Sequence, residues 1–174
     1  PRALRKDALV ASVDILSALR ALTYDPDDTV KFTVGFLEVS PNAPSVVPSL
    51  VHFSIDLRHP DTEILSSLGD AIPALCEEHR GPCNVQIKEL SNDPSLEFPA
   101  AIRDVIRDVG VGLDIAHMEL PSAAGHDARH LHYVCPTGMI FVPCAGGISH
   151  NEAESCKAED LFNGTQVLAG TIAR

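Results

Sequence analysis

Four of the eight histidines fall between Pro121 and Glu154, in the stretch PSAAGHDARHLHYVCPTGMIFVPCAGGISHNEAE. His126 and His130 are spaced i, i+4, as are His150 and Glu154, so each pair could share a helix face. Imidazole beside carboxylate is the common ligand set for zinc and similar divalent ions. The same groups could instead hydrogen-bond an anionic substrate or carry acid–base steps. Spacing leaves these chemistries open. Upstream, Asp56 and Arg58 close a predicted strand, where side chains often reach a ligand, although a polar strand face more commonly meets water.

The elements that must position these residues read as follows. Residues 3–22 predict an amphipathic helix, with Leu9, Val13, Leu16 and Leu19 at helical spacing. A turn cluster at 24–28 precedes the alternating Val30, Phe32 and Val34, a strand running toward Val39. Pro41-Asn42-Ala43-Pro44 breaks it. The next strand puts Val51, Phe53, Ile55 and Leu57 on one face and His52, Ser54, Asp56 and Arg58 on the other. Asp61 and Thr62 offer caps to a helix through Arg80, with a kink or break expected at Pro73. Val85 and Ile87 predict a further strand. With one more strand in front, this half would make the split βαβ of a ferredoxin-like sheet.

Residues 91–95 (SNDPS) are polar and contain proline, which marks a domain boundary: 1–91 and 92–174. Beyond it the pattern gives a helix ending at Gly110, a strand over 115–120, a helical HDARHLHYV and a fully apolar strand over 139–142. Gly146-Gly147 makes a tight loop carrying His150, and Leu161 to Ile172 forms a closing helix. The fold class is α/β overall, with an α+β first half.

Composition narrows the function. Hydrophobic residues are 45% and charged residues 21%, ordinary for a globular chain. A net charge of −11 argues against nucleic acid, and no Lys/Arg cluster serves a membrane surface. The apolar runs are too short to span a bilayer, and PRALRKDAL lacks the apolar core of a signal peptide. Five cysteines, none in CxxC spacing, fit a reducing cytoplasm, each as a small apolar filler.

Five segments in order, RKDAL, VVPSLVHFSIDLRHPD, SAAGHDAR, MIFVPCAGGISHNEAE and EDLFNGTQVL, carry a resemblance across the whole chain. It resembles the C-terminal part of the amidase/hydantoinase branch of the M20 metallohydrolases: N-carbamoyl-L-amino-acid hydrolases, β-ureidopropionases and allantoate amidohydrolases. GISHN favours this branch over the M20 aminopeptidases and acylases. The resemblance implies that 1–91 is most of a lid that also forms a homodimer, and that 92–174 is the end of a zinc-peptidase-like catalytic domain. It implies two divalent ions, zinc or manganese, with His150 as one ligand and the other donors in a half this chain does not contain.

By the same resemblance His126 contacts substrate or the tetrahedral intermediate. Arg58 clamps the substrate carboxylate, in its own site or a neighbour's. Ser45, Ala124 and Gly125 touch substrate, while Asp127 and Glu154 brace the residues beside them. His130 and His132 are read as structural or exposed. The substrate is a small carbamoyl or ureido acid, and the isolated chain is expected to be inactive. A non-catalytic dimerisation module is the alternative. Three departures stand out, the third being Pro73, which is unexpected within its helix. Ser45 replaces a common Asn, and Ala123 replaces a Gly in the turn, a strained exchange if that position needs positive φ.

Overall fold

The computed structural model describes the backbone of residues 1–174 and the side chains of all but Arg2. The chain divides into two compact units, Pro1–Ser95 and Leu96–Arg174. The polar turn at 91–95 is tied to the first unit, where Thr62 Oγ1 donates to the Ser95 carbonyl (3.4 Å) and Ser95 Oγ to the His59 carbonyl.

The first unit contains α1 (Ala8–Leu22), β1 (Lys31–Ser40), β2 (Leu50–Arg58) and α2 (Thr62–His79). Helix α1 starts later than its apolar pattern suggests, because the Asp7 side chain caps it by accepting from Val10 N at 3.2 Å. Its buried stripe is Ala11, Ile15 and Leu19 with Ser12, an i, i+4, i+8 row; Val13, expected inward, is 53% exposed. Burying Ser12 is tolerable because its hydroxyl donates to the Ala8 carbonyl at 2.7 Å.

Strands β1 and β2 pair antiparallel from Lys31 opposite Arg58 to Ser40 opposite Leu50, with a register irregularity between Val34 and Phe36. Gly35 sits at that bulge, as glycine in a strand often does. The two helices cover one sheet face. Ile15, Leu19 and Cys76 form the buried centre, with Phe53, Ile55 and Ile72 packed against it. Asp61 caps α2 by accepting from Glu63 N (2.8 Å) and Ile64 N (3.1 Å). Contrary to the expected break, α2 runs unbroken through Pro73. Packing of Ile72, Leu75 and Cys76 on the core outweighs the one backbone bond that proline forfeits.

The strand expected at Val85–Ile87 does not form, and the sheet has two strands. Val85 still packs against the core, so the segment keeps its alternation without a ladder. In a split βαβ the last strand pairs with the first, and the described residues supply no such first strand.

The second unit contains α3 (Ala100–Gly112), α4 (Ala128–His132) and α5 (Ala158–Ile172). Val109 of α3 and Val167 of α5 are its buried apolar side chains. A Cβ on Gly170 would lie 2.7 Å from Val109 Cγ1, so α5 reaches α3 this closely because residue 170 is glycine. The strands expected over 115–120 and 139–142 are not formed. Residues 138–142 line an apolar groove with α3 and α5, Ile140 and Val142 among its walls, whereas Phe141 is half exposed. This is strand-like alternation with no neighbouring strand to complete the hydrogen bonds.

The fold is thus α+β: helices beside one small antiparallel sheet. Its accessible surface is 12695 Å². Two separate compact units of these sizes would expose about 10,000 Å². The excess is partly apolar: Leu4 and Phe36 in the first unit and Met118 and Phe162 in the second are exposed.

Candidate active site

The turn at 121–127 is built around His126. Its carbonyl accepts from Arg129 N (3.0 Å), which starts the short α4. His126 thus precedes the helix and does not share a helix face with His130, as the spacing had suggested. Its ring is fixed on two sides. Ser122 Oγ hydrogen-bonds Nε2 at 2.8 Å, and Phe141 meets the ring edge-on with centroids 5.4 Å apart. Ser122 Oγ also accepts from Ala124 N at 3.3 Å, which closes the turn under the imidazole.

Ala123 is not among the residues with positive φ, so its replacement of glycine brings no backbone strain. Ala124 is half-buried and Gly125 exposed. The Asp127 side chain makes no capping bond; its carbonyl does the local work, accepting from His130 N (2.9 Å) and Leu131 N (3.2 Å). His132 packs edge-on to Phe98 and Tyr133, while His130 is exposed.

The second site element is the loop between Cys144 and Cys156. Ala145 N donates to the Ser155 carbonyl at 2.7 Å and pins the neck. Gly146 and Gly147 have φ of 63° and 69°, and His150 itself lies at φ 57°. Left-handed backbone is costly for a residue with a Cβ and is often found where function holds it. Here Glu154 holds it: Oε2 accepts from His150 N at 2.9 Å, while Oε1 receives the Cys144 thiol at 3.7 Å. The i, i+4 pair of His150 and Glu154 therefore meets through a backbone N–H, not on a helix face. Partial burial, the Glu154 carboxylate and the Cys156 sulfur push the Cys144 thiol above its ordinary range. His150 is an exposed residue.

His150 sits without the company a metal centre needs. Among the described residues no three His, Cys, Asp or Glu side chains converge as a cage would. The Glu154 carboxylate is engaged by His150 N and Cys144. These residues do not make a dinuclear site by themselves.

In the first unit, Arg58 ends β2 with its guanidinium held in a fork by Asp56: Nε to Oδ1 at 2.7 Å and Nη2 to Oδ2 at 2.6 Å. Both are about half exposed. The Arg58 guanidinium holds the Asp56 carboxyl below the usual carboxylate range, and Asp56 raises Arg58 in return. Ser45 is exposed in the turn between β1 and β2.

Three partners were not assigned from sequence: Ser122 on His126, Asp56 on Arg58, and Cys144 on Glu154. Asp56 and Arg58 share a strand face, which was a usable signal. The other two depend on turn geometry.

The chain belongs to peptidase family M20/M25/M40, whose model matches residues 3–174. Within that class its relatives include proteins named N-carbamoyl-L-amino-acid amidohydrolase and others named ureidoglycolate hydrolase. It is 33% identical over 172 residues to an N-carbamoyl-L-amino-acid amidohydrolase of Rhizobium meliloti, covering 97% of this chain and 41% of that protein. It is 29% identical to a ureidoglycolate hydrolase of Arabidopsis thaliana, covering 98% of this chain and 37% of that one. The crystal structure of an amidase of the hydantoinase/carbamoylase family from Burkholderia vietnamiensis matches with a TM-score of 0.85 at 30% identity, over 99% of this chain and 42% of that one. The chain thus spans about two fifths of the curated relatives it matches.

Proposed function

We propose that this chain is part of a metal-dependent amidohydrolase that cleaves the C–N bond of an N-carbamoyl or ureido acid. Residues 1–91 act as its lid and homodimer contact, and 92–174 as the end of its catalytic domain. The observation that carries this reading is the His150 loop. A histidine is held at positive φ by a carboxylate on its own N–H, inside a chain similar over its full length to carbamoylase-family amidases. The names of those two relatives share one chemical feature, a carbamoyl or ureido nitrogen.

In this reading His150 would supply one ligand to a bound pair of zinc or manganese ions, and the other donors would lie on residues beyond this chain. Such ions, when bound, activate water and polarise the carbonyl. His126, anchored by Ser122 and Phe141, presents its other ring nitrogen to the oxygen that gains charge. Arg58, aligned by Asp56, pairs with the substrate carboxylate, and the exposed Ser45 hydroxyl adds a hydrogen bond. Backbone at Ala124 and Gly125 lines the substrate side of the turn, and Asp127 and Glu154 steady the two site loops.

The test starts with the size of the native protein in its source cells, by immunoblot against this chain. Protein of that size, loaded with zinc or manganese, is then assayed on an N-carbamoyl amino acid, β-ureidopropionate and allantoate. A polypeptide more than twice this length that turns over one of them, and loses turnover with His150→Ala, is expected. A long polypeptide inert on all three, or a native band at 18.6 kDa, overturns the reading and favours an interaction module.

A further inference from the structure

We propose that Ser122 is a positioning residue that sets the tautomer of His126, keeping the ring proton on Nδ1 so that the imidazole offers a donor there. This rests on the proposed function, in which the nitrogen not bonded to Ser122 faces the oxygen that gains charge. A neutral imidazole has one donor and one acceptor nitrogen, and the hydrogen bond made by one decides what the other can do. A bare Nδ1 would repel a developing oxyanion. A protonated Nδ1 would stabilise it.

The direction of the contact follows from the hydroxyl. Ser122 Oγ lies 2.8 Å from His126 Nε2 and accepts from Ala124 N at 3.3 Å. A hydroxyl has one proton to give and two lone pairs. With one lone pair taken by the Ala124 N–H, two arrangements remain. If Nε2–H donates as well, two donors converge on one oxygen and the hydroxyl proton is left to water. If Oγ–H donates to Nε2, the bonds run head to tail, from Ala124 N–H through the hydroxyl to the ring, and each polarises the next. The second arrangement is favoured, and it places the ring proton on Nδ1.

Nothing else around the ring competes for this role. Ser122 Oγ is the one hydrogen-bond partner of the His126 ring among the described residues. The one buried side-chain polar atom without a partner among them is Nδ1 of His132, so the unpartnered Nδ1 of His126 is open to an incoming group. Phe141 meets the ring edge-on, with centroids 5.4 Å apart, but has no polar side-chain atom with which to select a tautomer.

The experiment reads the ring-nitrogen chemical shifts of His126 in this folded, isotope-labelled chain, at about two pH units above the ordinary histidine value so that the ring is neutral. Protonated and bare ring nitrogens lie far apart in shift, so the tautomer ratio is measured directly. The expected native result is a majority of the Nδ1–H form. Ser122→Ala should lower the ratio of Nδ1–H to Nε2–H by about fivefold, the worth of one ordinary hydrogen bond. Ser122→Thr keeps the hydroxyl and should keep the ratio. Phe141→Leu removes the ring contact and should also keep it, with amide protection of α5 as the check that each variant is folded. A native majority of Nε2–H overturns the proposal. So does a ratio that Ser122→Ala leaves unchanged, or one that Phe141→Leu shifts equally. In the longer polypeptide, Ser122→Ala should lower kcat on the carbamoyl or ureido acid it turns over by the same factor as the Nδ1–H fraction, with KM unchanged and Ser122→Thr restoring kcat. An unchanged kcat overturns the positioning role. A longer polypeptide inert on all these acids, with the tautomer as expected here, overturns the proposed function instead and leaves the tautomer assignment standing.

Discussion

Glu154 is the residue on which the shape of the His150 loop depends, and replacing it isolates one interaction. Its Oε2 accepts from His150 N at 2.9 Å, and His150 sits at φ 57°. Left-handed backbone costs a residue with a Cβ roughly 1–2 kcal/mol. A hydrogen bond from an N–H to a carboxylate is worth about 1.5–3 kcal/mol, and less where water competes. Both groups are exposed here, so about 1 kcal/mol is the net share of this bond, enough to offset most of the backbone cost. Glu154→Ala removes it and shifts the loop away from its observed shape by about fivefold in population. Glu154→Gln keeps an acceptor and should fall between. The assay is the His150 amide: its exchange rate, and the coupling constant that reports φ. Exchange should quicken in the Ala variant, with φ drifting to negative values, while helix α5 keeps its protection. An unchanged His150 amide in Glu154→Ala would refute the assignment of Glu154 as the brace.

Further predictions address the elements around the site. Leu19, 1% exposed at the centre of the first unit, should cost about 3 kcal/mol on truncation to Ala, read as a lower urea midpoint for that unit. Asp61→Ala removes the cap on Glu63 N and Ile64 N and should cost about 1 kcal/mol, with faster amide exchange confined to the first turn of α2. The Asp56 carboxyl is lowered by Arg58, so its stabilising share is complete above its unfolded value and is lost as pH falls through the lowered folded one. Asp56→Asn should flatten that acid-side loss of stability in urea titrations, and added salt should shrink the difference, since the pair is half exposed.

What the sequence disclosed follows from how local each signal is. Helix α2 was legible from Asp61 and the apolar spacing, and the β1–β2 pair from alternation on either side of Pro41-Asn42-Ala43-Pro44. The place of Ala11 and Ile15 in the α1 stripe was not, because Val13 satisfies the same period one step round the helix; Leu16 and Leu19 pack on the core as the pattern suggested. The segments at 85–87, 115–120 and 139–142 have strand composition but no strand, since a ladder belongs to the partner as much as to the segment. At the site, Gly146-Gly147 announced a tight loop. Nothing in residue type announced that His150 would join them at positive φ. The i, i+4 spacings suggested helix faces and proved to be turn contacts, Ser122 to His126 and Glu154 to the His150 backbone.

One regularity connects these differences to the proposed chemistry. The turn carrying His126 begins directly after the segment 115–120, and the loop carrying His150 begins two residues after 138–142. In α/β domains functional side chains gather where strands end, because the ladder fixes the last residue and the loop beyond it is free to take unusual backbone. In this chain those segments have no ladder, so the loops are held by short-range contacts instead: Ser122 and Phe141 on His126, Glu154 and the Ala145–Ser155 bridge around His150. Pairing the two segments with further strands would stiffen both site loops at once without touching a single site residue. If the longer polypeptide supplies those strands, the His126 and His150 amides should exchange more slowly in it than in this chain, and Glu154→Ala should cost less there. Equal exchange in both would mean that the local contacts alone set the geometry of the site.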